Sequence, residues 1–371
     1  MIRLYGHEVG EGSFTQVTRG IERALRHHNV FAGLVPIDRT LGEYESFPGA
    51  DAPFSLNVGA PFVLFAALMG QHKQRWLMLA PNSSHLAPSF VKRLLDEHEG
   101  IGRAYHGLLT PSEWGAGVLR KHFDLPVIVA PHGITPEIHR PLTEVREQVR
   151  EQYRRGEFRV LHMTSGRTTR KGTRELIKAW SRAKKTKVIP ERAVLSVLIE
   201  PHFTDVEFWA REEDLSVDTD GTIEAPDVAI RTGFGLPPEG VVQLYSYAHV
   251  VAQPSRGEGF GCIPLEARAC GVPVIMTVCT GYAEHAFTIQ GWQGSTGVVF
   301  VKTGEDAPLD DFDNSVAPAL DWEEVLGAIE TSYASWRELD TGALTCSTTI
   351  RKIWPWERVV EPAIRELTKG V

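Results

Sequence analysis

Cysteine is scarce in this sequence: four residues stand in a chain of 371, and no two of them form a Cys-x-x-Cys pair. We therefore expect reduced thiols in a cytoplasmic protein. The four residues are Cys262, Cys270, Cys279 and Cys346.

Long apolar runs are also missing. A helix needs ~20 apolar residues to cross a membrane, and the run at 60–69 is too short. Residues 1–4 lead straight into a glycine-rich loop, so we expect no signal peptide and no transmembrane segment.

Positive charge is in the minority. The chain has 39 Lys and Arg against 47 Asp and Glu, a net charge of −8. This balance disfavours a broad nucleic-acid-binding face, although a local basic patch remains possible.

The chain length and the order of its apolar segments indicate two α/β domains. A chain of 371 residues fits about two domains. Predicted strands end in loops at Tyr5, Ala80, Leu109, Met163 and Ala252. Ligands of open α/β sheets bind beyond the carboxyl ends of the strands. We therefore expect two α/β domains that face a cleft.

The most informative stretch is 253–275. It contains a loop with Gly257, Gly259 and Gly261, then a predicted helix over 263–269 and a buried strand over 272–276. Glycines let a backbone approach a bulky anion, and a helix N-terminus adds partial positive charge there. The pattern is typical of a phosphate site.

Two carboxylates belong to this stretch, and seven residues separate Glu258 from Glu266. A helical rise of ~1.5 Å per residue puts them on the order of 10 Å apart, about the span of a diphosphate with a sugar at each end. One carboxylate could then accept hydrogen bonds from hydroxyls of a transferred sugar, and the other from a ribose. The alternative is a strand–loop–helix corner with two solvated glutamates.

This stretch resembles the signature of the retaining glycosyltransferases of family 4, within the glycosyl transferases group 1. Members have the GT-B fold, two Rossmann-like α/β domains facing a central cleft, and their carboxylate pair is called E-x7-E. The matching residues are Pro254, Ser255, Glu258, Gly259, Phe260, Gly261, Pro264, Leu265, Glu266, Ala267, Cys270, Gly271, Pro273 and Val274.

The resemblance implies roles for these residues. Glu258 would face the transferred sugar and act in catalysis. The rest of the loop and helix would bind the nucleotide sugar, which is UDP- or GDP-linked, through Gly259, Phe260, Gly261, Cys262 and Glu266.

A second resemblance lies in 164–172, after a predicted strand. In the family, an Arg and a Lys at this place neutralise the donor diphosphate, and Arg167 and Lys171 match them. The loop between them is one residue shorter than is common, so Arg170 could substitute for Lys171. These cations would be catalytic, because the leaving nucleotide carries negative charge. The alternative is a solvated basic turn.

Two weaker carry-overs lie in the first domain. Gly10 and Gly12 match a family loop beside the donor, and a plain strand–helix turn explains them equally well. His85 follows a strand, where the family often has a histidine that contacts the sugar. A helix cap is the alternative role for His85, and Asn82 and Ser83 compete for that role.

The resemblance also suggests domain limits. We expect an acceptor-side domain over 1–140, a nucleotide-sugar-binding domain over 141–345, and a helix over 346–371 that returns to the first domain. The 280–284 segment resembles a family loop but keeps one glycine and no proline. One of the residues 231–236 would touch the base, and the sequence does not say which.

The sequence therefore predicts a metal-independent retaining glycosyltransferase without a cofactor. No Asp-x-Asp site is needed in the GT-B fold, and 218–220 and 310–311 fall in loop-like stretches. The alternatives are a non-catalytic sugar-nucleotide-binding scaffold and a GT-B sugar-nucleotide epimerase. The sugar, the base and the oligomeric state stay open. So does the acceptor, which could be a saccharide, a lipid, a protein or a nucleic acid.

Overall fold

The computed structural model describes most of the chain. The described residues are 1–6, 13–36, 54–58, 74–81, 91–92, 105–164, 168–199, 205–232, 236–286, 296–309 and 316–369.

The first described strands form a six-stranded parallel sheet. They are β1 (Ile2–Gly6), β2 (Phe31–Pro36), β3 (Phe54–Val58), β4 (Gln74–Met78), β5 (Gly107–Thr110) and β6 (Val127–Val129). Their spatial order is β2-β1-β3-β4-β5-β6. Because all pairs are parallel, every carboxyl end lies at the same edge of the sheet.

A second parallel sheet has seven described strands. They are β7 (Glu157–Thr164), β8 (Arg192–Ile199), β9 (Val217–Asp218), β10 (Val228–Thr232), β11 (Val250–Gln253), β12 (Val274–Thr277) and β13 (Val298–Val301). Their order is β13-β12-β11-β7-β8-β10-β9. The most buried strand, β11, precedes the glycine loop.

Helices connect these strands, as parallel sheets require. Those in the described ranges are α1 (Ser13–His27), α2 (Glu113–His122), α3 (Thr143–Arg154), α4 (Thr168–Lys171), α5 (Thr173–Lys185), α6 (Asp205–Glu212), α7 (Pro238–Tyr247), α8 (Cys262–Ala269), α9 (Ala283–Ala286), α10 (Trp322–Ala334), α11 (Trp336–Ile353), α12 (Trp356–Val359) and α13 (Glu361–Thr368). The predicted α/β class is confirmed. None of these helices is long and apolar enough to span a membrane.

Each sheet has its own hydrophobic core. The larger core lies on the second sheet around Trp180, which is fully buried. The first sheet packs its apolar residues against Val17, Ile21 and Leu25 of α1. These α1 side chains recur at helical spacing, so one face of the helix covers the sheet.

The last part of the chain packs against the first sheet. Trp356 and Ile364 belong to that sheet's core, and Ile134 donates its backbone N–H to the carbonyl oxygen of Trp354 over 2.8 Å. The proposed limit at 345 falls inside α11, which continues to Ile353 because Cys346 and Ile350 are buried on its inner face.

One antiparallel hairpin in the described part of the chain was not predicted. It is formed by β14 (Thr303–Pro308) and β15 (Val316–Leu320). Its carbonyl groups accept hydrogen bonds from Arg256 of the glycine loop, including Pro318 over 2.9 Å. The hairpin therefore supports the loop from one side.

Candidate active site

The glycine loop connects β11 to α8 and ends in a residue that must be glycine. Gly261 caps α8 with φ at +87°, in the left-handed region that side chains disfavour. A Cβ there would lie 1.9 Å from the ring of Tyr282, which is buried. The close contact keeps the backbone N–H groups at the start of α8 next to the loop.

Gly259 brings the loop against the first sheet. A Cβ at this position would lie 2.7 Å from the Cβ of Ala80, just beyond β4. The hydroxyl of Ser112, at the start of α2, donates to the carbonyl oxygen of Gly259 over 2.9 Å. The loop therefore lies where the carboxyl ends of the two sheets face each other.

A cluster of opposite charges lies on this loop. The ammonium nitrogen of Lys171 is 2.6 Å from Oε1 of Glu258, and a guanidinium nitrogen of Arg170 is 3.1 Å from the same oxygen. Arg170 also donates to the carbonyl oxygen of Gly257 over 2.6 Å. Both cations belong to α4, the short helix after β7, whereas Glu258 follows β11. Two connections at one edge of the second sheet therefore form the cluster.

Burial and charge act in opposite directions on this cluster. Burial alone would raise the pKa of Glu258, but the charges of Lys171 and Arg170 outweigh it and lower that pKa to about 2. Burial lowers the pKa of Lys171, while Glu258 counteracts this effect. Glu258 is therefore an anion at neutral pH, held between two basic side chains.

Backbone hydrogen bonds fix the loop that carries Glu258. Its N–H donates to the hydroxyl of Thr280 over 2.9 Å, and its carbonyl oxygen accepts from the N–H of Gly281 over 2.8 Å. The hydroxyl of Ser255 donates to the carbonyl oxygen of Arg170 over 3.0 Å. The segment that follows β12 is thus a third support of the site.

Glu266 lies on α8, the helix that follows the glycine loop. Its Oε2 accepts from the phenol of Tyr245 over 2.8 Å. Its Oε1 is 3.9 Å from Nε2 of His139, which lies in the segment of the chain between β6 and α3. Glu258 and Glu266 are therefore not bound to each other, and each has its own partners.

Phe260 and Cys262 face the interior. The Phe260 ring is buried with Ile134 and Trp354, so only its backbone is available to a ligand. The Sγ atom of Cys262 is 3.4 Å from Nδ1 of His132. Burial lowers the pKa of His132 to about 3 and raises that of Cys262 well above its usual value. Both side chains are neutral at pH 7.

Four predicted site residues lie outside the described residues: Gly10, Gly12, His85 and Arg167. Of the predicted base-contacting segment, Arg231 binds the carboxylate and carbonyl oxygens of Asp218, and 233–235 also lie outside.

Asp218 stabilises the backbone turn that follows it. Its carboxylate accepts from the backbone N–H groups of Gly221 and Thr222, at 3.1 and 3.0 Å, while Asp220 accepts from the Thr222 hydroxyl. Within the described ranges, no group of three or more His, Cys, Asp and Glu side chains could hold a metal ion.

The comparisons with known proteins agree with the fold. Residues 224–307, which include the glycine loop and α8, match the family model of the glycosyl transferases group 1. Anabaena HepE, solved with UDP and glucose, superposes with a TM-score of 0.67 at 13% identity and covers 99% of both chains. The predicted resemblance to group 1 glycosyltransferases is confirmed, and the fold is GT-B.

Further structures and relatives support this result. Sucrose-phosphate synthase from Thermosynechococcus elongatus has the same fold, with a TM-score of 0.66 at 17% identity over 100% of this chain and 99% of that one. A D-inositol 3-phosphate glycosyltransferase of Corynebacterium urealyticum is 54% identical over 27% of this chain and 26% of its own.

A longer alignment joins this GT-B chain to the GDP-mannose-dependent alpha-(1-6)-phosphatidylinositol monomannoside mannosyltransferase of Mycolicibacterium smegmatis. The two are 30% identical over 48% of this chain and 44% of the mannosyltransferase. The matched region thus spans less than half the length of these curated relatives.

Proposed function

We propose that this chain is a cytoplasmic, retaining glycosyltransferase that moves a sugar from a UDP- or GDP-linked donor to an acceptor hydroxyl without a metal ion. One observation carries the proposal: Lys171 and Arg170 converge on Glu258 at the glycine loop. A nucleotide diphosphate needs such cations next to backbone N–H groups at a helix start.

The charges suit the reaction. The bond between the anomeric carbon and the diphosphate oxygen breaks, and the acceptor oxygen forms its bond on the same face of the sugar. The acceptor proton passes to the leaving diphosphate. Lys171, Arg170 and, outside the described residues, Arg167 would stabilise the charge that develops on the leaving group.

Glu258 and Glu266 would divide the donor between them. Glu258 lies beside the cations, and the transferred sugar would bind to this carboxylate. Glu266, on α8, would accept hydrogen bonds from the ribose hydroxyls. Gly10, Gly12 and His85, outside the described residues, remain candidate contacts of the donor. Their test is substitution, with the rate of transfer as the readout.

The acceptor stays open between saccharide, lipid, protein and nucleic acid. Two of the matched relatives are named for D-inositol 3-phosphate and for a phosphatidylinositol mannoside. These two compounds are therefore the first acceptors to test.

A scaffold and an epimerase are the competing functions. A panel of nucleotide sugars, screened by thermal shift and by release of UDP or GDP, separates all three. A transferase shifts its melting temperature and releases the nucleotide, slowly with water and faster with acceptor. A scaffold shifts without turnover, and an epimerase returns an isomeric nucleotide sugar.

A further inference from the structure

Tyr245 is a buried side chain that has no role in the reaction as proposed above. It lies on α7 and is fully buried in the core between that helix, α8 and the second sheet. Its hydroxyl donates to Oε2 of Glu266 over 2.8 Å. A phenol placed among apolar side chains needs this partner, because an unpaired buried hydroxyl is costly.

The contact fixes the direction of the Glu266 carboxylate. With Oε2 held from inside the core, Oε1 points away from the core and lies 3.9 Å from Nε2 of His139. The side chain of Glu266 is 20% exposed. One carboxylate oxygen is thus anchored, while part of the Glu266 side chain stays exposed.

The anchoring group keeps its proton over the ordinary pH range. Burial, with the negative charge of Glu266 in addition, raises the pKa of Tyr245 well above its usual value. Tyr245 therefore remains a donor, and Glu266 remains the acceptor.

We propose that Tyr245 is a positioning residue that holds Glu266 in the orientation needed to accept from the ribose hydroxyls of the donor nucleotide. This inference rests on the proposed function of the site. Without the phenol hydroxyl, Oε2 loses its anchor and the carboxylate is free to rotate. Glu266 then loses the preset geometry for a vicinal diol.

The matched variants are Tyr245→Phe and Tyr247→Phe. Tyr247 lies two positions along the same helix, is 42% exposed and serves as the control. Affinities are measured by calorimetry for UDP, GDP, their 2′-deoxy and 3′-deoxy forms, and pyrophosphate. Glu266→Gln and the double variant with Tyr245→Phe complete a thermodynamic cycle.

We expect Tyr245→Phe to weaken binding of the preferred ribonucleotide about tenfold, as for loss of a hydrogen bond to a charged group. Pyrophosphate affinity should not change, and the preference for ribose over deoxyribose should shrink. Tyr247→Phe should bind as the wild type does. The effects of Tyr245→Phe and Glu266→Gln should be less than additive.

The outcomes separate two failures. If the wild type binds neither UDP nor GDP, the proposed function is wrong. If it binds one of them and Tyr245→Phe keeps the full preference for ribose, the positioning role is wrong. A lower melting temperature with unchanged ribose preference also overturns it, because that is the effect of a purely structural hydrogen bond.

Discussion

Lys171 binds the carboxylate of Glu258 over 2.6 Å, although the two residues are 87 positions apart in the chain. The turn after β7 and the loop after β11 can meet because their strands pair directly in the second sheet. The carboxylate thus occupies the position of an anion between Lys171 and Arg170. A donor diphosphate must share these cations with Glu258.

The first prediction concerns the cations. Lys171→Ala and Arg170→Ala should each weaken donor binding and slow transfer, on the order of 10–1000-fold, because each removes a charge partner of the phosphate. Arg174→Ala, an exposed arginine on α5, is the control. Donor affinity and transfer rate are the measurements. If Lys171→Ala and Arg170→Ala both behave like the control, the diphosphate lies elsewhere.

The second prediction concerns Glu258 as a competing anion. Glu258→Gln should slow transfer, since the sugar loses a charged hydrogen-bond acceptor. The same variant should bind pyrophosphate more tightly, because Lys171 and Arg170 are no longer paired with a carboxylate. Calorimetry at low salt measures the second effect, with the exposed Glu239→Gln as control. Weaker pyrophosphate binding by Glu258→Gln would show that the carboxylate does not compete with the anion.

The third prediction concerns the glycine at the start of α8. Gly261→Ala should lower stability by more than 1 kcal/mol, because φ is +87° and the new Cβ would clash with Tyr282. The control is Gly117→Ala within α2, where the added Cβ would meet nothing within 4 Å beyond its chain neighbours and its own helix backbone. Chemical denaturation compares the two, and equal stabilities would contradict the proposed clash.

The fourth prediction concerns acid stability. Burial lowers the pKa of His162 to about 4, with the carbonyl of Ala252 opposing and the charge of Lys171 adding to the effect. Since the unfolded chain binds the proton near pH 6.5, the native state loses stability as the pH falls from 6.5 toward 4. Each such histidine contributes up to ~1.4 kcal/mol per pH unit.

Unfolding free energies measured between pH 7 and pH 5 test this effect. His162→Gln should flatten the pH dependence by up to ~1.4 kcal/mol per pH unit. His27→Gln, which replaces an exposed imidazole, is the control. An unchanged slope in His162→Gln would mean that folding does not lower the pKa of His162.

Much of the fold could be predicted from local patterns. The chain length and the apolar strand segments predicted two α/β domains, and the glycine spacing located the loop before α8. The antiparallel hairpin of β14 and β15 was not predicted, because β14 is mostly exposed and carries few apolar residues.

Contacts between distant residues could not be predicted. The sequence does not indicate that the hydroxyl of Tyr245 meets Glu266. Likewise, Arg170 was only an alternative to Lys171, and the structure brings both to Glu258. Such pairs depend on strand order and on helix rotation, which local periodicity does not specify.

The most direct test follows one donor molecule through the reaction. The purified protein is incubated with the nucleotide sugar that stabilises it most and with an acceptor, and proton NMR records the anomeric signal of the product as it forms. We predict a glycoside with the configuration of the donor, released together with UDP or GDP, and slower formation of this product by Lys171→Ala. An inverted product, or a nucleotide sugar that is isomerised without release of the nucleotide, would contradict it.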